Sequence, residues 1–219
     1  GAIAICVCED EQKKNVQKLY KKLFGRKGKI FGHWAFFGGV ELRAYLDHLG
    51  LKKSRSWEKQ VPRSIFASPS NVVGAFLRGV FDTDGTIRAT GRNNNSLEIN
   101  LATTSNDLAK QVQQLLLNFG IVSNIQKVDA GGKTSDIRGR KVTSRRPLYH
   151  IRVKGAESVR LFKTHIGFGL SRKQKKLEIN ELNAKADRLL VPNQKQRLRR
   201  LWNKLPSKEK QADRCKIGR

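Results

Sequence analysis

The stretch Val72-Val73-Gly74-Ala75-Phe76-Leu77-Arg78-Gly79-Val80-Phe81-Asp82-Thr83-Asp84-Gly85 constrains this chain more than any other. Its first eleven residues carry apolar side chains almost all round a helical wheel, which predicts a short helix that is buried rather than amphipathic. Ala75 and Gly79 share one face, and their small size would let a second helix backbone approach closely. Two carboxylates, Asp82 and Asp84, then arrive at the helix C-terminus, where the negative end of the dipole disfavours them. Gly85 supplies the stop, since glycine takes positive φ easily. Nothing structural calls for acids there. A bound divalent cation does, because hard cations prefer carboxylate oxygens.

Charge narrows the partner. The 219 residues hold 45 Lys+Arg against 18 Asp+Glu, a formal net charge of +27. Such an excess suits a polyanion, either nucleic acid or an anionic membrane surface. The membrane is the weaker choice, because no apolar run approaches the roughly 20 residues of a spanning helix. No signal-peptide pattern stands at the N-terminus as given, so a cytoplasmic, nucleoid-associated location is expected. Cys6, Cys8 and Cys215 are too few and too badly spaced for a disulfide framework or a zinc site. Cys6 and Cys8 alternate on a predicted strand and are expected to face the core together.

Taken in order, residues 2–8 read as a strand. Glu9, Asp10 and Glu11 open a helix that runs to about Phe24, with Val16, Leu19, Leu23 and Phe24 facing inward. Residues 30–37 read as one aromatic-rich strand, 40–49 as a helix, 52–60 as a basic linker, and 62–69 as an extended connection anchored by Ile65 and Phe66. After the opening helix come strands over 86–92 and 97–104. A helix follows, capped by Ser105 and ended by Gly120. Then come a strand over 121–128, a glycine-rich basic loop over 130–146, a strand over 148–154, and helices over 156–166 and 171–184. An ordered series of matches links the two parts. Ile3-Ala4-Ile5 and Val16-Gln17-Lys18-Leu19 match Ile99-Asn100-Leu101 and Val112-Gln113-Gln114-Leu115 at an offset of 96. Gly39 and Glu41 match Gly155 and Glu157 at an offset of 116, and His48-Leu49-Gly50-Leu51 matches His165-Ile166-Gly167-Phe168 at an offset of 117. The growth in offset falls on the loop at 130–146.

The segment from Leu77 to Gly85 resembles the signature of the LAGLIDADG homing endonucleases. Leu77, Gly79, Asp82, Asp84 and Gly85 coincide with it, and Val80 and Phe81 keep its apolar positions. Arg78 and Thr83 depart from it at small-residue positions. With the repeat, the resemblance extends over residues 1–184. It implies an α+β fold of two pseudo-symmetric αββαββα halves, whose mixed or antiparallel sheets form a saddle over the DNA major groove. The first half would span 1–61, the second 62–184, and a basic helical tail for accessory DNA binding 185–219. In such proteins the halves pair through their signature helices, here at Ala75, Gly79 and Asp82, and each half supplies one acid. The first part of this chain starts where the repeat places its second strand. Its own signature helix is therefore expected from a missing N-terminal segment or from a second copy.

The resemblance implies site-specific hydrolysis of double-stranded DNA with Mg²⁺ or another divalent cation such as Mn²⁺, in an intein setting. The alternative is a LAGLIDADG-derived DNA-binding protein or RNA-splicing maturase that does not cut. Cutting a phosphodiester needs an activated water, neutralised charge and a stabilised leaving oxygen, all within the reach of metal ions. Asp84 is the expected catalytic acid and metal ligand, while Asp82 is expected to hold the turn. Family members also place a lysine near the scissile phosphate. Lys173 is the match, with Lys176 and its repeat counterpart Lys59 in competition. Thr86, Arg88, Thr90 and Arg92 share a strand face, and Glu98 and Asn100 share another. Faces of this composition suit base edges and phosphates. Arg138, Arg140, Arg145 and Arg146 give the long loop a basic surface, and Arg152 follows on the next strand.

Overall fold

The computed structural model describes residues 3–51, 54–90, 96–129, 131–132, 134–137 and 139–179. They fall within one compact unit, Gly1–Ala186. The expected tail at 185–219, Arg92 and Arg138 lie outside the described residues.

The fold is α+β with antiparallel sheets. The first part runs β1 (Ile3–Cys6), α1 (Asp10–Phe24), β2 (Lys29–Phe31), β3 (Trp34–Phe37) and α2 (Val40–His48). Its three strands pair antiparallel in the order β1-β3-β2. The second part runs α3 (Arg63–Phe66), α4 (Ser70–Asp84), β4 (Gly85–Thr90), β5 (Ser96–Thr103), α5 (Asn106–Leu117) and β6 (Ser123–Val128). It continues with β7 (Thr134–Ile137), β8 (Arg140–Thr143), β9 (Leu148–Lys154), α6 (Ala156–His165) and α7 (Ser171–Ile179). Its main sheet is antiparallel in the order β4-β5-β9-β6, and β7 and β8 form a separate hairpin. Among the described residues no helix is long and apolar enough to cross a membrane.

The two larger sheets each have their own core. Val7, Tyr20, Ala35, Phe37 and Leu42 form one cluster. The larger cluster draws only on residues from Val61 onward, with Leu77, Phe81, Ile99, Leu101, Leu115, Ile151 and Phe162 fully buried. Apolar residues pair across the strands of both sheets. Ile3 stands opposite Phe37 and Ile5 opposite Ala35. In the second sheet Ile99 stands opposite Val153 and Leu101 opposite Ile151. The glycines before α2 and α6, Gly39 and Gly155, both have positive φ, 138° and 90°.

Several local expectations change. Cys6 and Cys8 are exposed, and the residue between them, Val7, goes inside. In α1, Tyr20 is the buried residue, whereas Leu19 and Leu23 are exposed, because a three-stranded sheet covers only one narrow stripe of the helix. Residues 30–37 are a hairpin turned at Gly32, whose φ is 56°. The connection at 62–69 contains the short α3, in which Ile65 packs on the core and Phe66 stays exposed. The loop at 130–146 contains the β7–β8 hairpin.

The opening helix differs most. α4 buries Val73, Gly74, Leu77 and Phe81. Its other side is open: Val72, Ala75 and Gly79 are exposed, and Phe76 and Val80 are half-buried. Gly74, rather than Gly79, serves a close approach within this chain. A Cβ on Gly74 would lie 2.7 Å from the His165 carbonyl oxygen, while a Cβ on Gly79 would meet nothing within 4 Å. Gly85 ends the helix with φ −86°, so positive φ is not its reason. A Cβ there would lie 2.4 Å from the Phe81 carbonyl oxygen, and sterics alone demand glycine.

Candidate nucleic-acid interface and acidic centre

Two helix ends meet where α4 stops, and each neutralises the other. The last carbonyls of a helix and the first N–H groups of another lack partners within their own helices. Here the Asp82 carboxylate accepts from the N–H groups of Gly169 at 3.0 Å and Leu170 at 3.3 Å, just before α7 begins. In return Lys173, in the first turn of α7, donates from Nζ to the carbonyl oxygens of Phe81 at 2.9 Å, Asp82 at 2.6 Å and Gly85 at 2.6 Å. Burial pushes the Asp82 carboxyl above its usual range, against the opposing pull of those two N–H groups, Lys173 and Arg78. Burial, reinforced by the neighbouring Arg172 charge, holds Lys173 below the usual lysine value.

Lys173, expected beside a phosphate, has its ammonium turned into the end of α4. Its side chain is only 3% exposed. An ammonium has three N–H groups, and each of the three carbonyls above takes one. Lys173 holds the end of α4. Asp82 does hold the turn, through α7 rather than locally.

A second pair of acids steadies α7 from α1. Glu11 accepts from the Ser171 N–H at 3.0 Å and from its hydroxyl at 2.6 Å. Arg172 donates to Glu9 at 2.8 Å, and that hydrogen bond is the main reason the Glu9 carboxyl lies below its usual range. Carboxylates at a helix N-terminus are favourable, so α7 is braced by Asp82 on one side and Glu11 on the other. In the sequence Glu9 and Glu11 read only as acids at the start of α1. No local pattern points to partners 160 residues away.

Asp84 is exposed, unlike Asp82. It lines an open cleft of about 880 Å³ beside α4, together with Phe76, Val80, Thr83, Glu58 and Lys59. Lys59 thus shares a cleft with Asp84, while Lys176 is exposed on α7. Among the described residues no three His, Cys, Asp or Glu side chains converge on one point. Asp84 nonetheless suits a small hard cation, which takes one or two protein carboxylates and completes its shell with water and substrate phosphates.

The outer face of the four-stranded sheet is polar because strand alternation sends Ile87, Ile99, Leu101, Ile151 and Val153 inward. Cross-strand pairing lines up Thr86 with Asn100, Arg88 with Glu98, Asn100 with Arg152, and Arg152 with Asn124. Thr86 and Arg88 are exposed and Thr90 half-buried. Asn100 Oδ1 lies 3.2 Å from His150 Nδ1. Arg152 keeps a buried Nε without a hydrogen-bond partner. Arg145 is exposed, and Arg140 is described only as a position in β8. Arg146 lies over the Trp57 ring at 3.8 Å.

Glu98, expected as a DNA contact, is buried within the sheet face. Its side chain is 1% exposed and is taken up by Arg88 at 3.0 Å and Lys154 at 2.7 Å. It holds two cations at the surface. Lys154, His150, Asn124 and Gln126 were missed in the sequence. Once β9 is paired with β5, alternation alone puts them on this face. Burial by itself raises the Glu98 carboxyl, but the hydrogen bonds and charges of Lys154 and Arg88 outweigh it and hold the group below the ordinary glutamate range. A depressed folded pKa means that this trio stabilises the fold above the unfolded glutamate value and loses that contribution as pH falls through the folded value. Glu98→Gln is expected to flatten the acid limb of a stability–pH curve from urea unfolding. An unchanged limb would show the trio to be energetically idle.

A family model described as a LAGLIDADG-like domain matches residues 71–167, which span α4 to the end of α6. The replicative DNA helicase DnaB of Synechocystis is 30% identical over 155 residues, 68% of this chain and 16% of that protein. The RecA protein of Mycobacterium bovis is 32% identical over 116 residues, 52% of this chain and 14% of that protein. The glutamine–fructose-6-phosphate aminotransferase of Methanocaldococcus jannaschii is 26% identical over 179 residues, 78% of this chain and 15% of that protein. The chain thus spans about one seventh of the length of each of these relatives.

Proposed function

We propose, from the premise that residues 71–167 are a LAGLIDADG-like domain, that this chain belongs to an intein-embedded homing endonuclease that cuts double-stranded DNA with Mg²⁺ or a similar divalent cation. The observation that carries the reading is the placing of two features in one domain. A polar, cation-rich sheet face runs through Arg88, Asn100, Arg152 and Lys154. An exposed carboxylate, Asp84, stands at the end of the helix that feeds that sheet. The face supplies phosphate and base-edge contacts. Asp84 would hold the cation, which supplies an activated water and charge neutralisation at the phosphate.

The intein setting rests on the company the sequence keeps. A helicase, a RecA protein and an aminotransferase share no activity in their names, yet each carries a similar stretch as a small fraction of its length. A mobile insertion accounts for that distribution. The strand orders and registers support two related halves. The open side of α4 at Val72, Ala75 and Gly79 fits a second signature helix, from further chain or from a second copy, that would bring a second acid beside Asp84.

Binding to duplex DNA tests the reading first. With about six or more phosphates neutralised, affinity should fall roughly 10³-fold between about 50 and 200 mM salt. A flat salt response in a fluorescence-anisotropy titration would remove nucleic acid as the partner.

A further inference from the structure

The two sheets present different chemistry at matching register positions. On the outer face of the second sheet, Asn100 stands opposite Arg152 and Ala102 opposite His150. At the same offsets in the first sheet, Ala4 stands opposite Phe36 and Cys6 opposite Trp34. The edge strand β2 sets Phe31 beside Trp34 and Lys29 beside Phe36. Phe31 is 81% exposed, Trp34 47% and Phe36 36%. Packing does not account for them, since Ala35 and Phe37 fill the core from the opposite face of the same strand. A group of large aromatic side chains on an open sheet face marks a surface that meets a partner.

We propose that this aromatic face reads thymine methyl groups in the major groove, so that one half of the DNA site is recognised by polar contacts and the other by apolar ones. The inference rests on the DNA reading above and adds which sheet favours which base. The thymine C5-methyl is the apolar feature of the base edges in the major groove, and a phenyl ring is an established kind of contact for it. A duplex suits this face better than an apolar protein surface does, because Lys29 shares the face and the chain carries a net charge of +27.

The test uses the full encoded protein and a duplex selected from a random-sequence pool. Deoxyuridine then replaces thymidine in one half of the selected duplex at a time. The replacement removes the methyl group and keeps every phosphate and hydrogen-bonding edge. Affinity is expected to fall about fourfold for each contacted methyl lost, and in one half only. A double variant, Phe31→Ser with Trp34→Ser, should bind the thymidine and deoxyuridine duplexes equally. Both side chains lie outside the core, and an unchanged melting temperature confirms that the variant is folded. Equal affinity of the native protein for both duplexes overturns the proposal while leaving the DNA reading intact. So does a uracil effect that persists in the double variant. Failure to bind any duplex overturns both.

Discussion

Lys173→Met is expected to lower the melting temperature by about 10 °C. Methionine keeps most of the volume but removes the cation, and three carbonyl oxygens at the end of α4 lose a donor, of which that of Phe81 alone keeps the Gly85 N–H in its place. Burying polar groups without partners costs about 1–3 kcal/mol each, and partial access to water brings the total to about 3 kcal/mol. For a protein of this size each kcal/mol shifts the midpoint by about 2–4 °C. Differential scanning fluorimetry reads the effect directly. A lysine whose only task was to meet a phosphate would leave the midpoint unchanged on substitution and slow cutting alone. An unshifted midpoint would therefore restore Lys173 to the role that the family resemblance implies.

Local patterns in the sequence decide some elements of this fold and leave others open. The elements from α4 to α7, apart from the β7–β8 hairpin, were legible because local rules decide them. Ser105 caps α5 through the Leu108 N–H at 3.1 Å, Gly120 takes its positive φ of 73°, and β9 falls where its alternation puts it. The first part was harder. Its aromatic run from Ile30 to Phe37 holds no polar break except Gly32-His33, so one strand and a tight hairpin look alike. The faces of β1 and α1 depend on what packs above them, and a small core leaves Leu19 and Leu23 outside. Pattern alone puts such residues inside.

Within the site, residue types were legible and their duties were not. Asp82, Asp84 and Lys173 stand out from composition, dipole and motif. Only the fold shows that Asp82 and Lys173 bind each other's helix ends, leaving Asp84 as the exposed acid. Glu98 reads as a surface polar residue on an alternating strand. Its burial follows from two cations, Arg88 and Lys154, that reach it from neighbouring strands. The second of these lies 56 residues away in sequence. Cross-strand partners of this kind become visible only once the sheet order is known.

Asp84→Asn carries the largest expected effect on activity. The change keeps the shape of the side chain and removes its negative charge. Asp84 is exposed and makes none of the helix-end bonds that Asp82 makes, so folding and duplex binding should be retained. Cutting should fall on the order of a thousandfold or more, since the cation's contribution to the transition state amounts to several kcal/mol. Asp82→Asn should behave differently. It weakens the hold on Gly169 and Leu170, and so should lower the melting temperature as well as the rate.

The most direct measurement of the central claim is a cleavage assay on a random-site duplex library. It compares the full encoded protein with its Asp84→Asn variant, each with Mg²⁺ and with a chelator. The account predicts double-strand breaks at a defined long site, for the native protein with Mg²⁺ only. Cutting by the Asp84→Asn variant at an undiminished rate, or tight duplex binding by the native protein with no cutting under any divalent cation, would contradict it.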